Sequence, residues 1–283
     1  MKIIVEPSNK DISKYVNICD GILLGIDKFS VINEVKFSLD EIKNIVSLYK
    51  NLDIFIKMDK NIFNDDIKEL TECLIFLDKL NIKGIFFYDL AILNLKKKLD
   101  LKVDLVWNQT HMVTNYKTCD YYYDKGVKYA LMSKEITLDE ILEIANMSKI
   151  SQIVEVVSLP SVGFSRRSLI TNYNHDIGQE NSSSLVVTEK VTGSKYRVIE
   201  EDNGTAFLLN EIVNGTSVIK SLYDNNCSYI LFKQREIDDF YTLVSDTNKY
   251  ILGGCRDINY LEKYKKLGNN TGFFFKKTIY KVK

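Results

Sequence analysis

The stretch Glu-Val-Val-Ser-Leu-Pro-Ser-Val-Gly-Phe-Ser-Arg-Arg-Ser at 155–168 places a carboxylate, two arginines and a cluster of hydroxyls beside one of the chain's two prolines. Guanidinium forks match carboxylate and phosphate groups, so Arg166 and Arg167 point to recognition of an anion. A serine nucleophile at Ser165 or Ser168 needs a base. The sequence offers only two histidines, His111 and His175, and neither flanks those serines. The competing account is a structural loop whose arginines pair with carboxylates.

The elements that must position these groups follow from periodicity. Short apolar strands are expected at 2–5, 21–25, 53–57, 84–88, 103–106, 128–132, 153–157 and 228–232, with amphipathic helices between them. Ser38-Leu-Asp-Glu41 and Thr137-Leu-Asp-Glu140 are capping boxes that open two of the helices. Asn64 and Asp89 are read as N-caps of two others, and Gly126 as the stop of the helix at 116–125. After the seventh strand the rhythm breaks. Residues 159–183 read as polar and irregular. A hairpin at about 184–210 follows, with 205–209 as an added strand, and helical pattern resumes at 217–223.

Eight strand–helix units predict a closed (β/α)8 barrel of the TIM type, with an open doubly wound sheet as the alternative. One barrel domain over 1–283 is expected, with the excursion 159–215 inserted between the seventh strand and its helix. No Gly-x-Gly-x-x-Gly or Walker-type loop supports a nucleotide fold. The residues after each strand then ring the mouth: Glu6, 25–29, Lys57, Asp59, Tyr88, Asp89, Asn108, Gln109, 133–135, 158–168 and 233–236. That mixed ring suits a polar, anionic ligand, although several members, Asp89 above all, double as helix caps.

Bulk properties set the class. The chain has 283 residues, 45% hydrophobic and 27% charged, with zero formal net charge. No global field recruits nucleic acid or anionic lipid. No run approaches a membrane span, the apolar start is too short for a signal peptide, and a cytoplasmic protein is expected. Five cysteines, at 19, 73, 119, 227 and 255, form no Cys-x-x-Cys pair, which suits reduced thiols.

Taken together, these segments resemble the peptidase U32 family. Gly-Ile-Leu-Leu-Gly-Ile-Asp-Lys-Phe-Ser at 21–30 is similar to its "D-x-V-Y-L-G … F-S" strand, and Tyr-Asp-Leu at 88–90 to "S-D-L-G". Residues 133–141 look like "S-R-E-L-S-L-E-E-I". Glu155-Val, followed by Phe-Ser-Arg-Arg-Ser at 164–168, resembles "L-E-V-F-V-H-G … C-x-x-Y-S-G-R-C". Lys-Gln-Arg at 233–235 is similar to "K-I-E-G-R". The resemblance implies a peptidase or other hydrolase. It equally implies the hydroxylation branch of the family, which modifies transfer RNA, ribosomal RNA or quinone precursors and holds an iron–sulfur cluster on cysteines. Here Ser161 and Ser168 stand where two of those cysteines belong, and Gln109 lies one residue out of register with the family's glutamine. Serine is a poor iron ligand, so no iron–sulfur cluster, metal or other cofactor is expected.

Three functions follow: a U32 peptidase, a cluster-free accessory protein of an RNA- or quinone-hydroxylation pathway partnered by a cysteine-bearing U32 relative, or a barrel that binds a small anion. Peptide, RNA and small anionic ligands are the candidate partners, and no membrane is. The candidate binding residues are Glu135, Glu155, Ser165, Arg167, Ser168, Lys233 and Arg235. Glu135, Glu155, Arg167 and Arg235 are expected to share one pocket.

Overall fold

A computed structural model describes residues 1–109, 111–180 and 184–277. Residues 181–183 of the inserted excursion and 278–283 of the barrel span lie outside the described residues. Eight parallel strands form the barrel: β1 (Lys2–Glu6), β2 (Gly21–Ile26), β4 (Asp53–Met58), β5 (Gly84–Phe87), β6 (Leu105–Trp107), β7 (Tyr129–Leu131), β8 (Ser151–Ser158) and β14 (Tyr229–Lys233). The two-residue strand β3 (Lys36–Phe37) pairs outside the ring with β2. Closure is complete, because β1 pairs with β14 on one side and with β2 on the other. The open sheet is thereby excluded.

Inside the ring Ile4, Leu23, Phe55, Phe86, Val106, Leu131, Ile153 and Leu231 are buried together with Tyr129 and Tyr229. Phe55 meets both Phe86 and Tyr229 edge-on with centroids 5.6 Å apart, a favoured aromatic geometry. The interior is a packed core rather than a pore. A larger apolar layer lies between the barrel and its helices. Among the described residues no helix is long and apolar enough to cross a membrane.

The helices are α1 (Leu39–Leu48), α2 (Ile67–Asp78), α3 (Leu90–Leu99), α4 (Tyr116–Asp124), α5 (Leu138–Met147), α6 (Leu169–Ile177), α7 (Ile219–Asp224), α8 (Phe240–Leu252) and α9 (Ile258–Tyr264). Both capping boxes form, on Ser38 and Thr137, and Asp89 accepts from the Ala91 amide at the start of α3. Asn64 is not a cap. It opens a 3-10 turn, and Asp66 instead accepts from the Phe63 amide before α2 begins.

The insertion follows β8 and holds more structure than a hairpin. Strand β9 (Ser161–Ser165), helix α6, then β10 (Ser184–Thr188), β11 (Lys195–Glu201) and β12 (Gly204–Leu209) give an antiparallel sheet in the order β10-β11-β12-β9. Residues 161–165 and 169–177 are therefore ordered where an irregular segment was expected. Strand β13 (Val213–Asn214) returns to pair with β8, and α7 then leads to β14. The sheet has a small core of its own, Leu159, Ala206 and Leu208, with Ile32 and Ile199 against it. Its two ends meet where the Leu209 amide donates to the Pro160 carbonyl at 3.0 Å.

Candidate functional site

Side chains two residues apart on a strand share a face. Two positions beyond the interior apolar layer, each barrel strand therefore presents one more inward residue at the C-terminal mouth. In chain order these are Glu6, Gly25, Lys57, Tyr88, Asn108, Ser133, Glu155 and Lys233. All but Gly25 line a cavity of about 520 Å3. At Gly25 the space is taken by Asn33, since a Cβ there would stand 2.5 Å from the Asn33 side-chain carbon.

The charged members form one alternating chain across the mouth. Asp59 lies 3.4 Å from the Lys57 ammonium, and Lys57 lies 3.3 Å from Glu6 Oε1. Glu6 Oε2 is 3.8 Å from Lys233 Nζ, and Lys233 is 2.8 Å from Glu155 Oε2. Glu155 Oε1 then takes Lys134 at 3.0 Å and accepts from the Ser158 hydroxyl. Asn33 Nδ2 donates to Glu6 at 3.1 Å, and the Val31 amide donates to Asp59 at 2.8 Å. The Glu155 side chain is 2% exposed.

Burial and pairing set the protonation of this chain. Burial pushes the Glu155 carboxyl up, but Lys134 and Lys233 outweigh it and hold the group well below the ordinary carboxylate range. Lys233 moves the opposite way from its burial. Glu155 and Glu6 raise its proton affinity above that of an ordinary lysine. Burial dominates at the two ends: it raises Asp59 and lowers Lys134. Both ends are displaced toward their neutral forms.

Glu135, Glu155, Lys233 and Arg235 line this cavity, with Arg235 Nη1 3.9 Å from Glu34 Oε1. Ser165, Arg167 and Ser168 are not among the residues that line it. Strand β9 carries the chain onward for five residues, roughly 15 Å at ~3.3 Å each. Phe164 still lines the cavity, whereas the Ser-Arg-Arg-Ser that follows stands outside its lining. The Ser165 hydroxyl accepts from the Arg167 amide there, and Arg167 and Ser168 are exposed. Arg166 stacks on Phe63, its guanidinium carbon 3.8 Å from the ring centroid. Lys57, Lys134, Glu6 and Asn33 complete the site without having been singled out. The first three sit on the strand-end ring, which was their signal in the sequence; Asn33 gave none. The segment Thr271 to Phe274 also walls the cavity, held where the Leu138 amide donates to the Phe274 carbonyl. Asn108 rather than Gln109 faces the mouth. Gln109 donates to the Tyr88 carbonyl and accepts from the Trp107 indole.

The model of peptidase family U32 matches residues 11–269. The chain belongs to peptidase family U32. It is 24% identical to tRNA hydroxylation protein P2 of Bacillus subtilis (strain 168), over 91% of each chain. In fold it is similar to the U32 peptidase Mk0906, with TM-score 0.53, 12% identity, and coverage of 84% of this chain and 94% of that one. It is also similar to 3-hexulose-6-phosphate synthase from Salmonella typhimurium, with TM-score 0.50, 9% identity, and coverage of 90% and 100%. At such identities these two structures speak to the fold alone.

The residues of this U32 chain do not fit a family-type cluster. Ser161 Oγ is engaged with the Gly163 and Phe207 carbonyls at 3.1 and 3.3 Å. The five cysteines are buried at separate places, and none lines the cavity. Burial pushes the Cys19, Cys73 and Cys119 thiols up to about 12, away from the thiolate that iron binds. Among the described residues no three His, Cys, Asp or Glu side chains are grouped to hold a metal.

Proposed function

We propose that this chain serves the hydroxylation of transfer RNA, as a cytoplasmic U32 barrel that works beside a cysteine-bearing relative. The observation that carries this reading is the collinear likeness to tRNA hydroxylation protein P2 across 91% of both chains. The donor set agrees with it: the barrel mouth holds lysines and carboxylates, while cluster chemistry needs thiolates from elsewhere. The mouth, with Lys57, Lys134, Lys233 and Arg235 set among Glu6, Glu34, Asp59, Glu135 and Glu155 on its wall, suits a small polar ligand. Peptide hydrolysis has less support. Among the described residues neither histidine hydrogen-bonds a serine or a cysteine, so no such nucleophile is paired with an imidazole base.

The test removes the gene from the source organism and compares tRNA nucleosides by mass spectrometry. A hydroxylated nucleoside should be replaced by its counterpart one oxygen lighter, and the intact gene should restore it. Unchanged nucleosides, together with cleavage of peptides by the purified chain, would overturn the reading.

A further inference from the structure

Lys134 stands at one end of the charge chain, and its surroundings differ from those of its neighbour. Lys233 lies between two carboxylates, Glu155 at 2.8 Å and Glu6 at 3.8 Å. Lys134 has one ion pair among the described residues, with Glu155 Oε1, and that oxygen also accepts from the Ser158 hydroxyl. When Lys134 loses its proton, Glu155 keeps Lys233 and Ser158 as partners. The side chain of Lys134 is 26% exposed and lines the cavity. Apolar Leu131, Ile136 and Ile141 line the cavity beside it. A lysine beside a second, permanently charged lysine in a partly apolar cavity is the arrangement that activates an amine as a nucleophile.

We propose that Lys134 is an imine-forming lysine and that the barrel mouth takes a small aldehyde or ketone. The free Nζ lone pair attacks the carbonyl carbon, and the carbonyl oxygen takes the proton that the nitrogen sheds, giving a carbinolamine. Loss of water then leaves the carbon–nitrogen double bond. No oxidant or reductant enters. Lys233 keeps its charge throughout and balances Glu155. Burial lowers the proton affinity of Lys134 further, against the pull of Glu155, while Lys233 and Lys57 push the same way as burial. Glu34, Asp59, Tyr88, His111, Glu135 and Arg235 line the same cavity and complete the titratable groups that face it. This chemistry rests on the site alone and holds or fails independently of the transfer RNA reading.

The test treats the purified chain with limiting pyridoxal, and separately with butanal, from pH 6 to 10. Borohydride then reduces any imine to a stable secondary amine, and peptide mass spectrometry scores each lysine. Lys134 should be modified at least tenfold faster than the exposed Lys97 and Lys98 near pH 7. Its labelling should level off at lower pH than theirs. Labelling of Lys134 no faster than Lys97 would overturn the proposal, as would a plateau at the same pH. Lys233→Met leaves Glu155 to Lys134 alone, so its labelling should fall several-fold in protein that retains the wild-type circular dichroism. Unchanged labelling in that folded variant also counts against the proposal. If the variant does not fold, the wild-type profile decides.

Discussion

Glu155 gathers the most at a single position. Its carboxylate is buried against two lysines, and removing one partner of a buried pair costs about 3–5 kcal/mol because the other charge is stranded. Glu155→Gln should therefore lose about that much unfolding free energy in urea at pH 7. The pH dependence has a definite sign. The folded-state proton affinity of Glu155 is depressed below the ordinary 4.5. Its contribution is complete above that value and is lost as pH falls through the folded one. Lys233 is raised above 10.5, so its contribution is complete below 10.5 and is lost as pH rises through its folded value. These two groups add no slope between about pH 5 and 10, where any slope comes from the lowered Lys134 and raised Asp59, and Glu155→Gln should flatten the acid limb in a melt series. Gly25 makes a second case. A Cβ there would strike Asn33, whose amide holds Glu6. Gly25→Ala should cost about 1–3 kcal/mol by overpacking, measured by the same denaturant curves.

Elements were the most legible level of the sequence. Strands buried on both faces leave continuous apolar runs, and Ser38 and Thr137 each precede a glutamate at the spacing a capping box needs, so eight strands and two helix starts could be read directly. Strand β9 and α6 could not. Ser161-Val-Gly-Phe-Ser is only partly buried, and α6 takes its start from a partner remote in sequence: Glu200 of β11 accepts the Ile170 amide at 2.7 Å. The layer rule would have found most of the site, since Glu6, Lys57, Glu155 and Lys233 each lie two residues beyond an interior apolar side chain. The motif match drew attention to Arg167 instead, because a one-dimensional match does not show that the cavity wall on β9 stops at Phe164. One consequence concerns the turn at Gly204, whose φ is +133° and where a Cβ would come within 2.2 Å of the Ser165 carbonyl. Gly204→Ala should loosen the insertion sheet and leave the barrel intact. Limited proteolysis should cut within 161–209 sooner, while the main thermal transition moves little.

At the scale of the whole molecule the barrel and the insertion have separate cores, joined along the barrel rim where Asn203 donates to the Ser30 carbonyl, Lys36 pairs with Glu201 and Arg197 pairs with Glu236. The Leu209-to-Pro160 hydrogen bond places the two ends of the insertion side by side. Replacing 161–208 with a two-glycine link should therefore leave far-UV dichroism characteristic of the barrel and a cooperative melt. The cavity would lose the wall supplied by Ser161 to Phe164, so pyridoxal labelling inside the mouth should lose its selectivity. Loss of the cooperative melt would show that the insertion is needed to hold the barrel closed.

The alternating chain of charges also governs how fast a ligand arrives. Asp59, Glu6 and Glu155 face Lys57, Lys233 and Lys134, three of each sign, and Arg235 faces Glu34 in the same way. The formal charge of the whole chain is also zero. Beyond a Debye length of about 8 Å an approaching ion meets almost no net field. Encounter is then left to diffusion without long-range guidance, so association rates for a charged ligand should barely respond to added salt. The contacts made after entry lie in a poorly screened interior, and whatever discrimination this mouth achieves should appear in residence time.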